Sequence, residues 1–146
     1  YDPFNGTGAD GWEAVSKKLP NEQFDVGFSS YVLNVVPEFI EKQIVQELES
    51  ISGTVFHITR GADITETIWN NIKPEGKRNS HMMDYIEEHY PDLFDKIINN
   101  EANKADAKTL AYAGVATAKD SYQRIPDLSV YGYRKSGSGS SMVWTK

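Results

Sequence analysis

The glycines near the start of the chain match a motif that binds dinucleotides. Gly6, Gly8 and Gly11 fit the pattern G-x-G-x-x-G, whose glycines let the backbone approach a pyrophosphate closely. That function requires a strand directly before the first glycine and a helix directly after the last. The segment "WEAVSKKL" predicts the helix, but only five residues precede Gly6 and Pro3 interrupts them. We therefore interpret these glycines as a loop.

Serine hydrolase and metal chemistry are not supported by the positions of the histidines. The segment "GFSSY" begins like the nucleophile elbow G-x-S-x-G, but Tyr31 replaces its second glycine. The general base of such an enzyme would be a histidine late in the chain, and the last one is His89. His57, His81 and His89 show no H-x-x-x-H spacing, and the chain has no cysteine. No metal site is predicted.

Basic and aromatic residues are interleaved in the segment "AKDSYQRIPDLSVYGYRK". Cations there could face phosphates while tyrosines stack on bases, as in proteins that bind single-stranded nucleic acid. The formal net charge of −6 weakens attraction to such a polyanion, and hairpin tyrosines commonly pack on the core instead. The sequence is therefore compatible with nucleic-acid binding but does not establish it. The residues concerned are Lys119, Arg124, Arg134, Lys135, Tyr122, Tyr131 and Tyr133.

A strand, a helix and a second strand must position the residues of the first half. The stretch from Phe24 to Val36 is nearly continuously apolar, which predicts a strand buried on both faces that runs into a loop near "SSY". Pro37 suits the first turn of a helix, and Gly53 stands where its C-terminal cap belongs. "TVFHIT" predicts the second strand, parallel to the first, so the fold class is α/β. The apolar stripe of the helix is Ile40, Ile44, Leu48 and Ile51.

Helices and a terminal hairpin are predicted for the second half. Helical spacing runs through "DITETIWNNI" and "SHMMDYIEEHYPDLFDKIINN", which Pro91 divides, with Pro74 and Gly76 between the two segments. "EANKADAKTLAYAGVATAKDSYQRI" is either a helix or an ordered excursion. A Gly/Ser turn then predicts a hairpin. Its two sides are Val130, Tyr131 and Tyr133, and Met142, Val143 and Trp144.

Length and composition predict one domain over residues 1–146. The chain is 39% hydrophobic and 12% aromatic, which argues for a packed core and against disorder. No apolar run approaches membrane-spanning length, and the first residues of the given sequence do not form the apolar h-region typical of a signal peptide. The absence of cysteine suits the cytoplasm, so we expect a cytoplasmic protein.

The segment "FDVGFSSYVLNVVPEFIEKQIVQELESISGTVFHITR" resembles strand 4, the following helix and strand 5 of class I S-adenosylmethionine-dependent methyltransferases. Its "YVLNV" is particularly similar to the methyltransferases that accompany DNA phosphorothioation genes and to their phage relatives. "TAKDSYQRIPDL" is similar to a further segment of that group, and the terminal hairpin corresponds to strands 6 and 7. The resemblance implies an α/β fold with a partial Rossmann-like methyltransferase sheet, flanking helices and a C-terminal antiparallel hairpin.

The same resemblance implies a site for S-adenosylmethionine. Asp2 would accept hydrogen bonds from the ribose hydroxyls, the next three residues would lie beside the adenosine, and three residues at the carboxyl end of strand 4 would line the crevice. "YDPFNGTG" also looks like the cofactor loop of amino-methylating DNA methyltransferases, but their "DPPY"-type tetrapeptide does not occur here. No catalytic residue is assigned. The candidate cofactor-binding residues are Asp2, Pro3, Phe4, Asn5, Ser29, Ser30 and Tyr31.

The resemblance also implies that part of the cofactor site is missing. If "YDPF" ends strand 2, the first strand and its glycine-rich loop lie upstream of Tyr1, and the chain is a fragment that is inactive alone. Strand 4 would then be an exposed apolar edge, which predicts a homodimer or another chain that covers it. The alternative function is a non-catalytic binding or assembly domain on the same fold.

Overall fold

A computed structural model describes residues 21–137 and 140–146. The glycine motif and the candidates Asp2, Pro3, Phe4 and Asn5 lie outside these ranges. The described residues form five α-helices, a four-stranded sheet and a separate two-stranded sheet, which confirms the α/β class.

The chain enters the larger sheet through a strand–helix–strand unit, as the sequence predicts. Strand β1 (Phe24–Ser30) leads through a short 3-10 turn (Leu33–Val35) into helix α1 (Glu38–Ile51), and strand β2 (Ser52–Arg60) follows at once. Strands β1 and β2 are parallel, with Phe28 opposite Phe56 and Ser29 opposite His57. The unit is therefore a βαβ crossover.

Two details of that unit differ from the prediction, and one agrees with it. Strand β1 is not buried on both faces: Val26 is 54% exposed and Phe28 59% exposed, because α1 packs only on the opposite face, where its Leu48 approaches Gly27. The strand ends at Ser30, where the sequence predicts the loop near "SSY". Gly53 is not a helix cap, since β2 starts directly after Ile51 and includes the glycine.

The helical segment of the second half follows its apolar spacing. Helix α2 buries Ile64, Ile68 and Ile72 on one face, and Pro91 begins α4 directly after α3. The stretch that the sequence left open is a helix, α5, followed by a small hairpin. A capping box between Asn103 and Asp106 starts α5. The bounds are α2 Ala62–Ile72, α3 Ser80–His89, α4 Pro91–Ile98, α5 Lys104–Ala113, β3 Val115–Ala118 and β4 Ser121–Gln123.

The terminal hairpin completes the larger sheet, in the order β1-β2-β6-β5. Strand β5 (Arg134–Ser136) and strand β6 (Ser141–Thr145) are antiparallel, and β6 also pairs antiparallel with β2. The predicted hairpin is thus confirmed, but it is shorter than expected, because Val130 and Tyr131 belong to a 3-10 turn (Leu128–Tyr131) and not to a strand.

The core lies between the helices and one face of the larger sheet. Val55, Met142 and Trp144 point from the strands into a cluster with the apolar faces of the helices. On the other face of the sheet, the rings of Phe28 and Phe56 stack at 5.3 Å between centroids. Alternation along the strands therefore separates a buried face from a face that still carries large apolar side chains.

Candidate functional site at the carboxyl end of the parallel strands

Tyr31 makes a left-handed turn directly after β1. Its φ of +58° is unusual for a residue with a bulky side chain and is held in place by two hydrogen bonds. The Tyr31 N–H donates to the Ile58 carbonyl at 2.8 Å, and its hydroxyl lies 2.8 Å from the Ser141 hydroxyl. These contacts join the ends of β1 and β2 to the start of β6, and the Tyr31 ring remains 46% exposed. Ser30, just before it, is exposed as well.

Ser29 points the other way, into the protein. Its hydroxyl is hydrogen-bonded to the Nδ1 atom of His57 at 2.7 Å, and both residues are buried. The pair has the composition of a serine–histidine dyad. The sequence did not predict it, because the two residues are 28 positions apart on different strands. A nucleophile must meet its substrate, however, and Ser29 is only 6% exposed. The pair therefore joins β1 to β2 and is not an active site.

The ring of His57 is neutral at pH 7. Burial lowers its pKa to about 4, and the nearby carboxylate of Glu49 opposes that shift only in part. The ring meets Tyr133 edge-on at 5.1 Å between centroids, and the Tyr133 hydroxyl donates to Glu49 at 2.8 Å. Among the described residues, the Nε2 atom of His57 has no hydrogen-bond partner. Such an arrangement is stable only while the imidazole is uncharged.

A buried ion pair fixes the loop that follows Tyr31. The guanidinium of Arg124 donates to the Glu41 carboxylate at 2.7 Å, and the Tyr131 hydroxyl donates to the other carboxylate oxygen at 2.7 Å. Arg124 also donates to the carbonyls of Leu33 and Val36. Burial and the hydrogen bond to Glu41 raise the pKa of Tyr131. The network clamps the turn after β1 to the segment that follows β4.

That network removes one residue from the predicted nucleic-acid surface. Arg124 is 5% exposed and bonded to Glu41, so it cannot face a phosphate in this fold. Tyr133 is also buried, as expected for hairpin tyrosines that pack on the core. Lys119, Arg134 and Lys135 are exposed. Within the described ranges, no group of three or more histidine, aspartate or glutamate side chains is arranged to hold a metal ion.

Of the predicted cofactor-binding residues that the structure describes, Ser30 and Tyr31 are exposed at the carboxyl end of β1, whereas Ser29 is buried. Comparison with protein-family models, curated proteins and solved structures gave no match. None of the helices in the described part of the chain is long and apolar enough to cross a membrane.

Proposed function

We propose that this chain is a methyltransferase-like α/β domain that contacts S-adenosylmethionine at the carboxyl end of β1. The supporting observation is the sheet itself. The elements that resemble strand 4, helix and strand 5 form a parallel βαβ unit, and the hairpin that corresponds to strands 6 and 7 is paired to the far side of β2. Ligands of open α/β sheets bind outside the carboxyl ends of parallel strands, which is where Ser30 and Tyr31 lie.

The available groups fit part of this cofactor. The exposed Ser30 hydroxyl can hydrogen-bond a polar edge of a ligand, and the exposed Tyr31 ring offers an aromatic face. Ser29 would have to leave His57 to do the same, so we assign it no contact. S-adenosylmethionine supplies an activated methyl group on its sulfonium sulfur. The contribution of the chain is to hold and orient the ligand, and no base is assigned.

Calorimetry with S-adenosylmethionine and S-adenosylhomocysteine tests this proposal. We expect binding of both, weakened by Tyr31→Ala and by Ser30→Ala, while Ser80→Ala, an exposed serine on α3, changes nothing. Asp2→Ala should also weaken binding markedly, and an unchanged affinity would remove Asp2 from the site. No heat at millimolar ligand would exclude a functional cofactor site in this chain.

A second candidate function is assembly through the edge of β1. In the described ranges β1 is hydrogen-bonded on its β2 side only, and its outer edge carries neither proline nor lysine, the residues that usually protect such edges. An antiparallel pair centred on Gly27 would place Val26 opposite Phe28 of the partner subunit. The only charge on the strand, Asp25, would not meet its own copy. The edge therefore favours a homodimer.

Sedimentation velocity over a concentration series tests the assembly proposal. We expect dimer at high concentration and monomer for Val26→Lys, because a lysine blocks edge pairing and apolar contact together. Val130→Lys is the matched control, since Val130 is 70% exposed on a 3-10 turn away from β1. A wild-type monomer at every concentration would refute the homodimer without affecting the cofactor proposal.

A further inference from the structure

A cavity of about 320 Å³ opens where β2 passes into α2. Its walls come from the turn at Gly61, the first turns of α2, helix α5 and strand β5. Ile125 and Met142, both nearly fully buried, contribute apolar surface. The volume lies at the lower end of the range for small-molecule sites, about 300–1,000 Å³. The cavity is thus large enough for one small ligand, and it uses none of the residues assigned to the Ser30–Tyr31 site.

Two lysines from different elements line this cavity. Lys108 reaches it from α5 and Lys135 from β5, and both are exposed. Neither forms an ion pair with any residue in the described part of the chain, although the protein as a whole is acidic. Glu66 is the one carboxylate among the described residues of the lining, and with the two lysines it gives them a positive formal charge. A site with this charge favours an anion.

An aromatic ring stands beside the lysines. Tyr112 lies four residues after Lys108 on α5, so the two side chains share one face of the helix. The ring is 44% exposed, and no aromatic side chain of the described ranges stacks on it. An exposed ring face beside cations is the combination that binds a base and its phosphate.

We propose that this cavity binds a nucleoside phosphate, with the phosphate held by Lys108 and Lys135 and the base against Tyr112. The nucleotide is either a free ligand or one unit of a single strand. The sequence already predicted Lys135 as a phosphate contact. The second cation in this cavity is Lys108 and not Arg124, which is buried in its ion pair with Glu41. The inference is independent of the methyltransferase proposal.

Calorimetry with AMP, adenosine and inorganic phosphate tests each contact separately. Lys108→Ala and Lys135→Ala should each weaken AMP binding about 3- to 10-fold, in keeping with the net loss of one hydrogen bond at a solvent-exposed site. Lys119→Ala, an exposed lysine outside the cavity, should leave the affinity unchanged. Tyr112→Ala should weaken AMP and adenosine but not phosphate. A short single-stranded oligonucleotide that competes with AMP identifies a strand as the source, and lack of competition identifies the free nucleotide.

A substitution at Glu66 should tighten AMP binding, whereas the lysine variants weaken it. Because its carboxylate lines the same cavity as the bound phosphate, Glu66→Gln should tighten AMP binding about 2- to 5-fold at low salt. A loss of folding cannot produce tighter binding, so this result is specific. The proposal is overturned if AMP gives no heat at about 10 mM, if both lysine variants bind as the wild type does, or if Glu66→Gln does not tighten binding.

Discussion

Removal of Arg124 should destabilise the protein severely, because it leaves a buried carboxylate without its cation. The side chain of Arg124 is 6% exposed and that of Glu41 2% exposed, so little solvent screens the pair. Breaking one half of a buried ion pair typically costs about 3–5 kcal/mol. The Tyr131 hydroxyl would remain as a donor to Glu41, but the carbonyls of Leu33 and Val36 would lose theirs. We therefore expect Arg124→Met to lower the free energy of unfolding by about 3–5 kcal/mol.

Urea unfolding, followed by circular dichroism, measures this loss. In the double variant Glu41→Leu/Arg124→Met both charges are absent, and most of the stability should return, since apolar replacement of a whole buried pair is often neutral. Arg134→Met, the same substitution at an exposed position, should change the free energy by less than about 0.5 kcal/mol. A loss below about 1 kcal/mol for Arg124→Met, or a double variant no more stable than the single one, would refute the interpretation of this pair.

Three further perturbations have definite signs. The folded pKa of His57, about 4, lies below the ordinary value of 6.5 for a histidine, so stability is complete above pH 6.5 and falls by up to about 3 kcal/mol as the pH drops toward 4. Urea unfolding at several pH values measures this. Gly114→Ala should cost more than about 2 kcal/mol, because φ is +103° and the new methyl group would collide with the Tyr122 ring. Asn103→Ala, which breaks the capping box with Asp106, should cost about 1 kcal/mol in thermal unfolding.

Each of these predictions has a matched control. His57→Gln should flatten the fall between pH 6.5 and 4.5, whereas His81→Gln, at an exposed histidine, should not. Adding Tyr122→Ala to Gly114→Ala should recover the part of the loss that is due to collision. Asn99→Ala, at an exposed position, should be near neutral. A pH profile that is the same with and without His57 would contradict the first prediction. A double variant Gly114→Ala/Tyr122→Ala that loses as much stability as Gly114→Ala alone would contradict the second, and equal losses for Asn103→Ala and Asn99→Ala would contradict the third.

Local patterns in the sequence predicted the local structure well. The spacing of Ile64, Ile68 and Ile72 placed α2 correctly, and Pro91 marked the boundary between two helices, because both signals act within a few residues. The parallel pairing of β1 with β2 also followed, since a single helix joins them.

Contacts between distant residues could not be predicted in the same way. Glu41 lies in the first turn of α1, where a negative charge suits the helix dipole, but its carboxylate is buried against Arg124, 83 residues later. Ser29 was placed correctly at the end of β1, yet its orientation depends on a partner in another strand, His57. Exposure of Phe28 depends on which faces the helices cover. These contacts and exposures depend on residues that are distant in the sequence, so no short segment of the chain predicts them.

The order of the strands also sets the order in which this sheet can form. Strand β6 comes last in the sequence but lies between β2 and β5, and its Trp144 is bonded to Thr59 across 85 residues. Closing so long a loop is entropically costly and slow compared with formation of the βαβ unit. During synthesis β1 and β2 can pair early, while the second edge of β2 must wait until β6 has left the ribosome. Strand β6 therefore governs when the sheet is complete.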